Sequence, residues 1–96
     1  MLNNLQKRHL KALAHARKAV LIVGANGLTQ AVLDAIDEAL KHHELIKVRV
    51  NAVDRETRAA LIEQLCNALN TELVQRVGHV ATLFRRNPEA PRIQLP

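Results

Sequence analysis

The stretch Val20-Leu-Ile-Val-Gly-Ala-Asn-Gly-Leu-Thr29 carries the residue types best suited to binding chemistry in this chain. Four apolar residues predict a buried strand, two glycines follow with the spacing G-x-x-G, and Thr29 is a good helix N-cap. Glycines in a strand–helix turn permit positive φ and close approach of another backbone. Because a helix N-terminus presents free N–H groups and a positive dipole, the predicted ligand of this turn is an anion such as phosphate.

The charge around the turn indicates what kind of molecule carries the phosphate. The first thirty-three residues hold five cations and no Asp or Glu, whereas the rest of the chain holds nine cations and nine acids. The whole excess of +5 therefore lies in the segment with the glycine turn, which favours a polyanion, most simply nucleic acid. The predicted phosphate contacts are Lys7, Lys11, Arg17 and Lys18, with Lys47 and Arg49 as a second patch, and the turn Gly24, Ala25, Asn26 and Gly27 would receive a backbone phosphate.

Composition limits the class of protein. A chain of 96 residues with 48% hydrophobic residues is expected to fold as one domain with an aliphatic core, because Phe84 is its only aromatic residue. Binders that stack single-stranded bases on exposed aromatic rings are excluded, so RNA contacts are expected through phosphate, ribose and shape. One cysteine suits a cytoplasmic protein. The basic start loosely resembles a signal or transit peptide, but its pattern favours a permanent helix.

The hydrophobic pattern predicts seven elements in the order α-β-α-β-α-β-β, which gives an α/β fold with three helices on a small mixed four-stranded sheet. We expect the first strand to be central, because every side chain in Val20–Val23 is apolar. We expect the first helix to bury Leu2, Leu5, His9, Leu13 and Ala16. Residues 87–96, with three prolines, are expected to form a loose or extended tail.

No motif predicts catalysis or a cofactor. The glycine spacing is neither a P-loop nor a dinucleotide fingerprint, and the histidines and the single cysteine lack metal-ligand spacing. Two alternatives stay open beside RNA binding. One is a protein-interaction adaptor whose basic helix docks an acidic partner, and the other is a small phosphate-handling enzyme. The enzyme would need carboxylates near Gly24, and the first acid in the chain is Asp34.

Short motifs in order along almost the whole chain resemble the CRM domain (chloroplast RNA splicing and ribosome maturation), most closely its free-standing bacterial YhbY-like form. They are residues 10–15, 23–29, 42–48, 54–57, 77–78 and 83–85. The resemblance implies a fold similar to the C-terminal domain of translation initiation factor three. It also implies RNA binding, and bacterial members of the family are associated with precursors of the large ribosomal subunit. We therefore expect a cytoplasmic, monomeric protein that binds ribosomal RNA or a large-subunit precursor. Many family members have a basic residue inside the loop, where this chain has Ala25 and Asn26.

Overall fold

A computed structural model describes all residues from Met1 to Pro96, and its elements follow the predicted order. They are α1 (Asn4–His15), β1 (Ala19–Val23), α2 (Gln30–His43), β2 (Leu45–Val50), α3 (Arg55–Leu69), β3 (Glu72–Val77) and β4 (Val80–Phe84). None of the three helices is both long and apolar enough to span a bilayer.

The four strands form one mixed sheet with the spatial order β1-β2-β4-β3. The β1–β2 pair is parallel and is connected through α2, whereas β4 runs antiparallel to both β2 and β3. Parallel neighbours need such a crossover, while β3 and β4 are joined by a tight hairpin. The predicted small mixed sheet with three helices is confirmed.

Side-chain caps fix where the helices begin. The Thr29 hydroxyl accepts from the Val32 N–H at 3.2 Å at the start of α2, and the Asp54 carboxylate accepts from the Thr57 N–H at 2.7 Å at the start of α3. Each cap satisfies a backbone donor that the first helical turn leaves unpaired. The predicted N-cap Thr29 is therefore confirmed, and Asp54 plays the same part in α3.

The main core lies on the sheet face that α2 and α3 cover, here called the closed face. Ile46, Val48 and Val50 point to it from β2, where they pack with helix residues such as Ile36 and Leu65. Because side chains alternate along a strand, Lys47 and Arg49 point to the opposite side, here called the open face.

Helix α1 covers one end of the open face. Leu10 and Ala14 are buried there against Leu45 of β2, Val74 of β3, Phe84 of β4 and Ile93 of the chain after β4. The predicted apolar face of α1 is therefore wrong in part, since Leu5 and Leu13 are 57% and 37% exposed. Apolar residues surround much of this helix, and the contact with the sheet decides which stripe is buried.

Strand β1 is an edge strand, so the prediction of a central position is wrong. Leu21 and Val23 pack toward the main core, but Val20 and Ile22 are 53% and 59% exposed. An apolar strand sequence is typical of a strand that is covered on both faces, but in this protein no helix covers the second face of β1. Here α1 reaches β2 and β3, and it leaves the open face of β1 bare.

The chain after β4 forms no helix or strand, but it is anchored to the core by one carboxylate. Glu44 is completely buried and accepts hydrogen bonds from the N–H groups of Asn87, Arg92 and Ile93 at 2.7–2.8 Å. Burial alone would raise the pKa of Glu44, but these three donors outweigh burial and lower it. The tail thereby completes the small core beneath α1.

Candidate nucleic-acid interface

A groove on the open face gathers cations from three elements. The groove, here called the basic groove, has a volume of about 320 Å³ and runs between the end of α1 and the sheet. Its lining residues are Lys11, His15, Arg17, Ala19, Lys47, Gln75, Val77, Val80 and Thr82. None of them is acidic, so the groove offers positive charge and hydrogen-bond donors to an anion.

Two backbone contacts hold the groove together. The Arg17 guanidinium donates to the carbonyl of Leu45, and the Lys47 ammonium donates to the carbonyl of Arg17 at 3.0 Å. The connection between α1 and β1 is thereby tied to β2. Both cations keep further N–H groups that donate to no other protein group, and these can face a ligand.

A second cavity of about 310 Å³ adjoins the groove at the start of β1 and β2. It shares Arg17 and Lys47 with the basic groove and adds Lys18 and His43. No acidic side chain lines this cavity either. The predicted cations Lys11, Arg17, Lys18 and Lys47 therefore lie in one connected region, although their sequence positions span thirty-seven residues.

No carboxylate lines the basic groove, and those that form ion pairs do so with other cations. Arg85 binds the Asp37 carboxylate at 2.8 Å, which, with help from Lys41, holds the pKa of Asp37 below its usual value. The other ion pairs involve Glu38 and Glu72. None of the six predicted RNA-contacting cations forms an ion pair with a carboxylate, so their charge is available to a partner.

The glycine turn has the geometry that its spacing predicts. The Gly27 N–H donates to the Gly24 carbonyl at 3.0 Å, and Gly27 adopts φ +70°, the left-handed conformation that glycine tolerates best. The N–H groups of Ala25, Asn26 and Leu28 donate to no other protein group. These exposed donors precede the first turn of α2, which contains no acid. The turn can therefore receive a phosphate through its backbone.

A cleft of about 700 Å³ opens between the glycine turn and the β2–α3 loop. The four residues Gly24–Gly27 form one wall, and Asn51, Ala52, Val53, Thr57 and Leu61 form the other. The Asn51 N–H donates to the Val23 carbonyl at 3.0 Å, which holds the loop against the turn. This arrangement follows from the parallel β1–β2 pair, because the carboxyl ends of parallel strands meet at one edge.

The predicted site residues thus form two groups. The basic groove lies toward the start of β1, and the glycine turn lies beyond the end of β1. The five residues of this strand separate the two sites by roughly 16 Å. Arg49 lies between them on β2, and Lys7 lies one turn before Lys11 on α1 without lining either cavity.

The structure adds residues that the sequence analysis did not select. His15, Gln75 and Thr82 line the basic groove, and Asn51 lines the cleft at the turn. His15 follows Lys11 by four residues, so helical periodicity could have found it. Asn51 directly follows β2, just as Gly24 directly follows β1. Because the ends of neighbouring parallel strands meet at one edge, the sequence could have predicted that Asn51 lies near the turn. Gln75 and Thr82 depend on the pairing of β3 with β4, which the sequence does not specify.

No three His, Cys, Asp or Glu side chains lie close enough to hold a metal ion together. Cys66 is half-buried on α3, and burial raises the pKa of its thiol. The cations of the groove and the amides of the turn have unused hydrogen-bond donors, whose chemistry suits the binding of anions.

Comparison with known proteins identifies the family. Residues 2–85 match the model of the CRS1 / YhbY (CRM) domain, and the chain belongs to this family. It is similar to an RNA-binding protein of Haemophilus influenzae, with 46% identity over 99% of this chain and 95% of that one. It is also similar to a probable RNA-binding protein of Pseudomonas aeruginosa, with 44% identity over 88% of this chain and 81% of that one.

A solved structure supports the same assignment. The solution structure of a Staphylococcus aureus protein, described as a candidate RNA-binding protein, superposes with a TM-score of 0.85. The two chains are 35% identical, and each is covered completely. The resemblance to the CRM family predicted from short motifs is therefore confirmed along the whole fold.

Proposed function

We propose that this protein binds structured RNA through the basic groove and the glycine turn. One observation carries the proposal: Lys11, Arg17 and Lys47 meet in one groove that no carboxylate lines and no ion pair neutralises. Relatives that match over most of both chains are named as an RNA-binding protein and a probable RNA-binding protein, which agrees with this chemistry. The protein acts by binding, with no chemical step of its own.

The RNA is proposed to contact the protein in two places. The cations of the groove neutralise backbone phosphates, and the exposed amides of Ala25, Asn26 and Leu28 hold one phosphate at the turn. The turn has no side-chain charge of its own, so its contribution depends on close backbone approach. Structured RNA can contact both the groove and the turn, since its phosphates are held at fixed positions along a curved path.

We further propose that the RNA is ribosomal and that the protein is a cytoplasmic, monomeric assembly factor of the large subunit. This finer role rests on the CRM resemblance. Crosslinking in cell extract followed by sequencing of the bound RNA tests it, with a variant carrying Lys11→Glu and Lys47→Glu as control. Enrichment of large-subunit ribosomal RNA that the variant loses supports the proposal.

The same experiment separates the adaptor alternative. An adaptor would crosslink to an acidic protein and recover no RNA above background. Recovery of other RNAs, without ribosomal enrichment, would leave RNA binding in place and contradict the role in ribosome assembly.

A further inference from the structure

Four paired residues form a row across the open face of the sheet. Ile22 pairs with Arg49, Arg49 pairs with Val80, and Val80 pairs with Val77. Paired residues point to the same face, so the row runs from one sheet edge to the other. We call these four residues the aliphatic row.

The aliphatic row is open to solvent. Ile22 is 59% and Val77 is 64% exposed, Arg49 is exposed and Val80 is half-buried. Helix α1 covers the other end of this face, where Leu45 and Phe84 are buried. Neighbouring exposed aliphatic side chains are unfavourable in water, and such patches commonly mark a contact surface.

The position of the row relates it to the proposed RNA contacts. Ile22 lies two residues before Gly24 of the glycine turn, and Val77 and Val80 also line the basic groove. The row therefore lies on the direct path between the groove and the turn. The row contributes apolar surface and one guanidinium to that path.

We infer that the aliphatic row contacts unpaired nucleobases of the bound RNA. This inference rests on the proposed function and specifies which part of the RNA the open face recognises. Phosphates and riboses of a duplex are too polar to bury Ile22 and Val77 favourably. The faces of unpaired bases are apolar and can cover these side chains, while the planar guanidinium of Arg49 can stack on a base.

The charge of the surface favours RNA over a protein segment as the occupant. The only charged member of the row is Arg49, and no acid lines the adjoining groove. The single aromatic ring, Phe84, is 5% exposed and cannot stack on a base. The RNA that fits is therefore a duplex interrupted by unpaired nucleotides, and we expect a plain duplex to bind more weakly.

The test compares two RNA duplexes with the same total number of nucleotides and therefore of phosphates, one perfectly paired and one interrupted by a bulge of unpaired nucleotides. We expect the wild-type protein to bind the bulged RNA about ten-fold more tightly, since covering the exposed parts of Ile22 and Val77 contributes on this scale. Ile22→Ser should reduce the preference at least three-fold and leave affinity for the duplex within about two-fold, because Ile22 lines neither the basic groove nor the cleft at the glycine turn. Leu5→Ser is the control, because Leu5 is 57% exposed but lies outside the row.

Arg49→Lys separates stacking from charge. It keeps the positive charge and removes the planar group, so the preference for the bulge should fall while the salt dependence stays unchanged. Thermal melting establishes that each variant is folded.

The outcomes distinguish the inference from the proposed function. Equal affinity of the wild type for both RNAs, or a preference that is undiminished in folded Ile22→Ser protein, would overturn the inference and leave RNA binding intact. Failure of the wild type to bind either RNA would overturn both.

Discussion

The ammonium group of Lys47 on β2 donates a hydrogen bond of 3.0 Å to the backbone carbonyl of Arg17, thirty residues earlier in the chain. The guanidinium of Arg17 in turn donates to the carbonyl of Leu45, two residues before Lys47. This reciprocal pair ties the basic α1–β1 segment to the middle of the sheet. The cations are thus held together before any RNA arrives, so little side-chain order is lost when RNA binds.

Reversal of two groove charges should weaken RNA binding strongly. In Lys11→Glu with Lys47→Glu, two cations are lost and two acids enter a groove that has none. We expect an affinity at least ten-fold lower and a log–log salt slope smaller by roughly two, because each phosphate contact contributes about one. Filter binding at several salt concentrations measures both quantities.

Arg55→Glu with Arg76→Glu is the matched control for that variant. Both residues are exposed, the net charge changes by the same amount, and neither lines the basic groove or the glycine turn. The control should change the affinity much less. An equal loss in both variants would mean that overall charge, and not the groove, determines binding.

Substitutions of the two glycines should separate folding from RNA contact. An added Cβ meets no atom within 4 Å at either position, but Gly27 has φ +70° whereas the φ of Gly24 is not positive. We expect Gly27→Ala to cost about 1–2 kcal/mol of stability, and Gly24→Ala less than about 0.5 kcal/mol. Thermal melting measures the difference.

The same variants then test the turn as an RNA contact. Gly24→Ala should weaken RNA binding despite its normal stability if RNA backbone approaches the turn closely. Gly27→Asp should weaken it further, because it places a carboxylate where phosphate is expected. If folded Gly27→Asp protein binds as tightly as wild type, the turn serves only as a connection between β1 and α2.

Glu44 should be needed for stability and not for RNA binding. In Glu44→Ala, the N–H groups of Asn87, Arg92 and Ile93 lose their acceptor, and we expect a loss of about 2–3 kcal/mol. A chain of this length should then melt roughly 10–20 °C lower. An unchanged melting temperature would show that the anchored tail adds nothing to stability.

The same carboxylate should make the protein sensitive to acid. The folded state lowers the pKa of Glu44 below its ordinary value of 4.5, so its contribution to stability is present above that value. The contribution is lost as the pH falls through the folded pKa. Asp37 and Asp54, whose pKa values are also lowered, add in the same direction. Melting temperatures between pH 7 and pH 3 should therefore fall less steeply in Glu44→Gln than in wild type.

Much of the fold could be predicted because the local sequence preferences agree with the packing of the folded protein. The helix caps Thr29 and Asp54, the alternation in β2 and the glycine turn each have a local physical cause. The edge position of β1 could not be predicted from its apolar sequence. Its exposed side chains, Val20 and Ile22, lie on a face that α1 leaves uncovered, and that depends on where a distant helix packs.

The site was predictable in its residue types and less so in its arrangement. The absence of Asp and Glu from the first thirty-three residues indicated Lys11 and Arg17 as contacts. The alternation of apolar and basic residues in β2 indicated Lys47 and Arg49 as a second patch. That the two patches form one surface depends on α1 packing on the open face, which the sequence left undetermined. The residues from β3 and β4 follow from the antiparallel register, and no local motif encodes it.

The most direct measurement of the central claim is the affinity of the intact protein for ribosomal RNA as a function of salt. If about four to six phosphates are engaged by the groove and the turn, the logarithm of the association constant should fall with the logarithm of salt with a slope of roughly −3 to −5. The variant with Lys11→Glu and Lys47→Glu should show a smaller slope. A flat response in the wild type, or no measurable binding at low salt, would contradict the account.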